Sequence, residues 1–310
     1  MKVGIIMGGV SSERDVSLMT GQEMIKNLDR KYQAVPIVLN SKAELIDKVK
    51  GIDVALLALH GAFGEDGTIQ GTLDTLGIPY TGSGILSSSL CMNKLLTKKI
   101  VKCEGFATAD WLLMQAGSAY DVDQIGEALG FPLVIKPNAG GSSIGVKLVH
   151  HAESLETALQ AAFSYDTEIL IEQYIQGDEI TCSILNGQML PVLSIKPKGE
   201  FFDYSSKYED GGADEVVIEL PESILQQVRR TALGVYEAVQ CSVYARIDMI
   251  LHQGVPYVIE VNTLPGLTKN SLLPKSAKAA GISYSELLTQ IIEISLQEHT
   301  RQPVHGELVK

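Results

Sequence analysis

The amino-acid sequence predicts an α/β protein of two large or three small lobes that opens on a parallel sheet. Three observations carry this reading. Short apolar runs rich in β-branched residues alternate with helix-length stretches early in the chain, the order that builds parallel strand–helix–strand units. The chain has 310 residues, more than one typical domain but short for three full-sized ones. With 45% hydrophobic and 20% charged residues, it has the composition of an ordinary globular protein with material for a substantial core.

Lys2–Met7 reads as a buried strand closed by Gly8-Gly9, and SSERDVS leads from it into a helix ending near Leu28. Val35–Leu39 and Asp53–Leu59 are further strands, the second running into HGAFGEDG, and Ile69–Leu76 is helical before the turn at Gly77-Ile78-Pro79. In such a sheet ligands gather at the carboxyl ends of the strands, where Gly8, Gly9, Glu13, His60 and Gly61 fall. A first domain over residues 1–92 is expected. Helix Asn93–Cys103 then opens a second, over 93–180, with strands near Pro132–Lys136, Gly145–Val149 and Glu168–Glu172 and a helix near Ser154–Phe163. The third, 181–310, begins in strand Ile180–Leu185 and contains a β-hairpin, Val243–Leu251 and Val255–Val261, joined through His252-Gln253-Gly254 with glycine in the left-handed position.

A net charge of −12 opposes broad attraction to nucleic acid or to an anionic membrane. Cys91, Cys103, Cys182 and Cys241 are widely spaced, form no paired metal motif and sit in apolar contexts, so they read as reduced thiols. The apolar start MKVGIIMGGV is too short for a signal peptide, and no stretch has the length of a membrane span. A cytoplasmic location is the expectation.

The hairpin is the most informative segment. Its loop length sets Asp248 opposite Glu260, and strand alternation puts Arg246 on the face of Asp248 and Asn262 on that of Glu260. Oxygen ligands of this kind suit Mg²⁺, which takes one or two carboxylates and completes its shell with phosphate oxygens and water. A nucleotide would supply those phosphates; a solvated face of paired charges is the other reading. Lys136-Pro-Asn-Ala-Gly-Gly-Ser-Ser-Ile-Gly145 is a lysine at a strand end followed by a Gly/Ser loop. Its backbone N–H groups and the Ser142 and Ser143 hydroxyls can cradle an anion, although a flexible turn would carry the same residues. It is not a P-loop, because G-x-x-x-x-G-K-[ST] is absent and no helix follows. Lys94 and Lys136 are placed to meet phosphates, and Glu172 and Glu179 could accept from an adenine amino group and ribose hydroxyls. Gly199–Asp214 is long for a connection and suits either an active-site lid or a surface excursion.

In one order along nearly the whole chain run GGVSSERDVS, ALHGAFGEDGTIQG, YTGSGILSSSLCMNK, KPNAGGSSIGV, FFDYSSKY, ARIDM and EVNTLPGLTKNSLLP. With these segments the chain closely resembles the D-alanine–D-alanine ligase family of the ATP-grasp superfamily. The resemblance implies an ATP-grasp fold in which an N-terminal parallel-sheet domain precedes central and C-terminal antiparallel lobes that grip ATP. It implies Asp248, Glu260 and Asn262 as ligands of two Mg²⁺ ions, with Mn²⁺ able to substitute, and Arg246 as a stabiliser of phosphoryl charge. Lys94, Lys136, Ser142 and Ser143 would hold phosphates, while Glu172, Gln173, Tyr174, Ile175 and Glu179 would hold adenosine; many relatives have lysine and leucine where this chain has Gln173 and Ile175. Glu13, Ser142 and Tyr208 would form a triad across the domains, with Glu13 receiving the ammonium of the first D-alanine. Ser271 and Leu272 would meet the carboxylate of the second, His60 and the lid residue Lys207 would lie close by, and the Gly266 N–H would join Arg246 on an oxyanion. The implied reaction forms D-alanyl-D-alanine through an acyl phosphate, for peptidoglycan synthesis. A homodimer is implied as well. Tyr208 goes with dipeptide formation rather than with a D-lactate ester, and relatives that use D-lactate or D-serine, or a non-catalytic nucleotide-binding regulator, are the alternatives.

Overall fold

A computed structural model describes residues 1–197 and 213–301. The chain starts with β1 (Lys2–Gly8), α1 (Arg14–Asn27), β2 (Gln33–Leu39), the short α2 (Leu45–Lys48) and β3 (Val54–Leu57). These strands form a parallel sheet in the order β2-β1-β3, with Ile5 opposite Pro36 on one side and Leu56 on the other. All but one residue of β1 and all of β3 are buried, which is why both read as continuous apolar runs rather than as alternation. α3 (Thr68–Thr75) and α4 (Ile85–Met92) follow, and then α5 (Lys94–Cys103), whose first turn is capped by the Asn93 side chain accepting from the Leu96 N–H.

A second unit contains β4 (Trp111–Gln115), α6 (Val122–Leu129), β5 (Leu133–Pro137), β6 (Lys147–Val149), α7 (Leu155–Phe163) and β7 (Glu168–Gln173). Its antiparallel sheet runs β4-β7-β5-β6 and has a core of its own that includes Ile125, Leu133, Ile135, Leu155 and Ile171. The third unit holds β8 (Asp178–Leu185), β9 (Gln188–Met189), β10 (Leu193–Pro197), β11 (Ala213–Val217), α8 (Glu222–Ala238), β12 (Tyr244–His252) and β13 (Val255–Asn262). Its sheet runs β11-β10-β8-β12-β13, with β9 paired to β8. α9 (Leu272–Ala279) and α10 (Tyr284–Arg301) complete the described chain.

Packing divides the chain differently from the boundaries expected at 92–93 and 180–181. β8 begins at Asp178, so the second of these falls inside a strand, and residues 174–177 are the connection. Helix α5 buries Val101 against the six-stranded sheet and α8, beside Ile247, Val235 and Val261, rather than in the central core. Leu287, Leu288, Ile291 and Ile292 of α10 join Ile5, Leu56 and Leu73 in the first core. Neither contact has a local signal in the sequence. Cys91, Cys182 and Cys241 are buried free thiols as expected, but Cys103 is exposed at the end of α5, where the chain leaves the sheet it packs on.

Candidate functional site

Between the central and third sheets lies a cleft. Lys136, Gly140, Gly141, Ser143 and residues 172–175 line one wall, and Glu179, Asp248, Ile250, Tyr257 and Glu260 line the other. Lys94 reaches in from the start of α5.

The hairpin supplies the acids. Gln253 and Gly254 form a two-residue loop, both with positive φ (49° and 83°), which closes His252 onto Val255 and leaves His252 inside the ladder rather than in the turn. A bulge between Asp248 and Met249 then shifts the register by one residue and sets Asp248 opposite Glu260 and Arg246 opposite Asn262. Asp248 is buried, and neighbouring side chains hold both oxygens of its carboxylate. Arg246 donates through Nε to Oδ1 and through Nη2 to Oδ2, both at 2.8 Å, and Asn262 Nδ2 donates to Oδ2 at 3.0 Å. Lys94 Nζ lies 3.8 Å from Glu260 Oε2 and donates to the Gly140 carbonyl at 2.5 Å, which ties the hairpin to the Gly/Ser loop. Among the described residues no group of three or more His, Cys, Asp or Glu side chains forms a metal cluster. The donors here are instead two carboxylates and one amide, an oxygen set that fits Mg²⁺ completed by phosphate and water.

Glu172 was expected only as an acceptor for adenosine. It lines the cleft, but its Oε1 also lies 2.8 Å from Lys136 Nζ and 3.1 Å from Lys98 Nζ, and all three residues are buried. Burial alone would raise its pKa, yet the two ammonium groups outweigh that and hold it below the usual glutamate value. Lys98 is pushed down to about 8, first by burial and against the pull of Glu172. The sequence reading missed Lys98 because a lysine in a helix usually points to water. Its spacing of four from Lys94 does place both on one face of α5, a signal that could have found it.

The carboxyl end of the parallel sheet forms the third side. Glu13 is buried before α1, and the Ser142 hydroxyl donates to it from the Gly/Ser loop. Ser142 and Ser143 both adopt left-handed backbone (φ 55° and 56°), a strain of order 1 kcal/mol each that is typical of ligand-clamping loops. His60 is buried with Nδ1 at 3.5 Å from Glu65 Oε1 and Nε2 at 3.4 Å from Thr20 Oγ1; neither partner was singled out in the sequence. A Cβ on Gly61 would meet Glu13 Oε2 at 2.8 Å, so glycine keeps the carboxylate in place. Gly266 stands against Ser271 and His60: a Cβ there would lie 2.9 Å from Ser271 Oγ and 4.0 Å from His60 Cε1. Ser271 immediately precedes α9 without a capping side-chain bond, its hydroxyl instead shares a 2.8 Å hydrogen bond with that of Thr268, and Leu272 is buried beside it. Glu13, His60, Ser142, Gly266 and Ser271 are therefore assembled where the units meet. Lys207 and Tyr208 lie outside the described residues.

Two family models match. Residues 40–83 match the D-ala D-ala ligase N-terminus and residues 99–293 the D-ala D-ala ligase C-terminus. The chain belongs to the D-alanine–D-alanine ligase family. One member, a D-alanine–D-alanine ligase of Bacillus anthracis, is 57% identical over 298 residues, covering 96% of this chain and 98% of its own. A crystal structure of the Bacillus anthracis ligase complexed with ATP superposes with a TM-score of 0.89 at 53% identity, over 97% of this chain and 99% of that one. A more distant structural relative is the VanG D-Ala:D-Ser ligase of Enterococcus faecalis, with a TM-score of 0.83, 29% identity and coverage of 95% and 99%. The family's ATP-grasp architecture is the fold described above, a parallel-sheet unit followed by two antiparallel sheets that face each other across the cleft.

Proposed function

We propose that the protein joins two D-alanine molecules at the expense of ATP, giving D-alanyl-D-alanine, ADP and phosphate. The observation that carries this reading is its near-full-length similarity, at 57% identity, to a ligase of that activity. The geometry fits, because the Ser142–Glu13 hydrogen bond joins the anion-binding loop of the cleft to the carboxyl end of the first sheet.

A carboxylate will not accept an amine directly, so the first step transfers the γ-phosphoryl group to one D-alanine carboxylate and gives an acyl phosphate. Lys94, Lys136, Ser143 and the loop N–H groups hold the phosphates. The segment Glu172–Ile175 and Glu179 hold the adenosine. Asp248, Glu260 and Asn262 would hold Mg²⁺, which when bound supplies charge neutralisation at the phosphates; two ions, with Mn²⁺ able to replace them, complete this proposal. Arg246, already beside Asp248, and the Gly266 N–H face the developing oxyanion. Glu13 takes the ammonium of the first substrate, and Ser271 and Leu272 anchor the carboxylate of the second. The second amine, deprotonated, attacks the acyl carbon and phosphate leaves. His60, held between Thr20 and Glu65, lies on the same face. Lys207 and Tyr208 belong to the stretch proposed to keep water from the acyl phosphate.

Among the described residues no helix is long and apolar enough to cross a membrane. A cytoplasmic homodimer that makes dipeptide for peptidoglycan completes the proposal. The deciding experiment is ADP release with Mg²⁺-ATP and D-alanine, with L-alanine and with D-alanine plus D-serine or D-lactate in parallel, the products identified by mass. D-alanyl-D-alanine as the sole product supports the proposal. A mixed product with D-serine would favour the chemistry named for the Enterococcus relative, and no ADP release with any of them would overturn ligation.

A further inference from the structure

We propose that Lys98 is a positioning residue, the reserve counter-ion that keeps the buried Glu172 carboxylate paired when Lys136 turns toward a nucleotide phosphate. The proposal rests on the reading of the cleft as a nucleotide site. Lys136 lines that cleft, whereas Lys98 does not and is only 1% exposed, so Lys98 stands behind the wall and cannot meet a ligand itself. Both ammonium groups converge on one carboxylate oxygen, Glu172 Oε1, at 2.8 Å and 3.1 Å. One lysine would already balance that charge. Burying a second costs free energy that pairing Glu172 does not itself require.

The second lysine has a use once an anion enters. A phosphate in the cleft competes for the Lys136 ammonium, and without another partner Glu172 would be left as an unpaired buried charge. Lys98 is held where it prevents this. Its Nζ donates to Thr108 Oγ1 at 2.8 Å, and Thr108 in turn donates to the Val258 carbonyl of β13 at 2.8 Å. The ammonium also lies over the Trp111 ring, 5.2 Å from its centre. Held by Thr108, Trp111 and Glu172, Lys98 stays with the carboxylate while Lys136 serves the ligand. Two lysines on one glutamate also leave the cluster with excess positive charge, which a phosphate neutralises.

Isothermal titration calorimetry of the full chain with Mg²⁺ tests this, using ADP and adenosine on the wild type, Lys98→Met, Glu172→Gln and the double variant. With Lys98→Met, ADP affinity should fall roughly tenfold or more, because phosphate binding now strands the carboxylate, while adenosine affinity stays within about twofold. In the Glu172→Gln background the same change should cost ADP less than about twofold, because there is no charge left to strand. Equal losses for ADP and adenosine, an undiminished loss in the Glu172→Gln background, or no loss at all would each overturn the proposal. So would a Lys98→Met chain that fails to fold, since Lys136 should suffice as partner before the nucleotide arrives. A wild type that binds no ADP would instead remove the nucleotide reading beneath it.

Discussion

The hydroxyl of Thr181 on β8 donates to Asp248 Oδ1 on the neighbouring strand β12 at 2.6 Å, and Thr181 is wholly buried. With Arg246 and Asn262 on the remaining positions, the carboxylate cannot rotate without breaking several hydrogen bonds. Thr181→Val keeps the shape of the side chain and removes this donor. It should cost about 1–2 kcal/mol in urea unfolding and raise severalfold the Mg²⁺ concentration that half-saturates ADP release.

Glu260 stands opposite Asp248 and within reach of Lys94. Glu260→Gln removes a negative oxygen ligand with almost no change in volume. Turnover should fall about 100-fold or more while circular dichroism stays unchanged. Wild-type ADP release in this variant would remove the metal assignment.

Ser142→Ala deletes the hydroxyl that donates to Glu13. The loop would lose its tie to the first unit but keep its backbone N–H groups. Steady-state kinetics should show KM for D-alanine raised about tenfold, with ADP affinity by calorimetry nearly unchanged. A variant that loses ADP binding instead would mean the hydroxyl serves the phosphates alone.

Burial brings Lys98 from its ordinary 10.5 down to about 8. Glu172, Lys136 and Asp110 act on it electrostatically, and Lys102 shares the Trp111 ring. Between about 8 and 10.5 the unfolded chain binds more protons here than the folded one, so stability from this group is gained as pH rises through that window and lost as pH falls through about 8. Urea unfolding at steps across that range should show the wild type gaining on Lys98→Met toward alkaline pH. A constant gap between the two would place the Lys98 ionisation outside the window.

Much of the candidate site is legible in the sequence because its residues sit on regular elements. Period-two alternation and a Gly-containing turn point to Asp248 opposite Glu260, and the structure has that pair, but by way of a bulge between Asp248 and Met249, since the two-residue turn alone would pair Asp248 with Ile259. The Gly/Ser loop is legible because glycine and serine leave backbone donors uncovered. Lys98 is legible only through its helical spacing from Lys94, and Thr181 and Glu65 are not legible in this way. Each acts through a partner distant in sequence or set by a loop, and alone each reads as an ordinary surface or strand residue. The same limit hides the packing of α10 on the first core, which joins residues nearly 300 positions apart, such as Ile5 and Ile292.

Among the described residues the central sheet shares no core residue with the other two units; the chain joins it to them through residues 104–110 and 174–177, and the start of α5 bonds to its loop at Asn138 and Gly140. A body attached in this way swings more readily than it shears, and the axis of the swing runs past its two attachments. The Lys98–Glu172 contact lies beside the first of these attachments, where Lys98 also donates to Thr108, whereas the Ser142–Glu13 contact joins the central unit to the first. A swing of the central sheet away from the first unit would therefore break the single Ser142–Glu13 hydrogen bond before it disturbed the buried cluster of Lys98, Lys136 and Glu172.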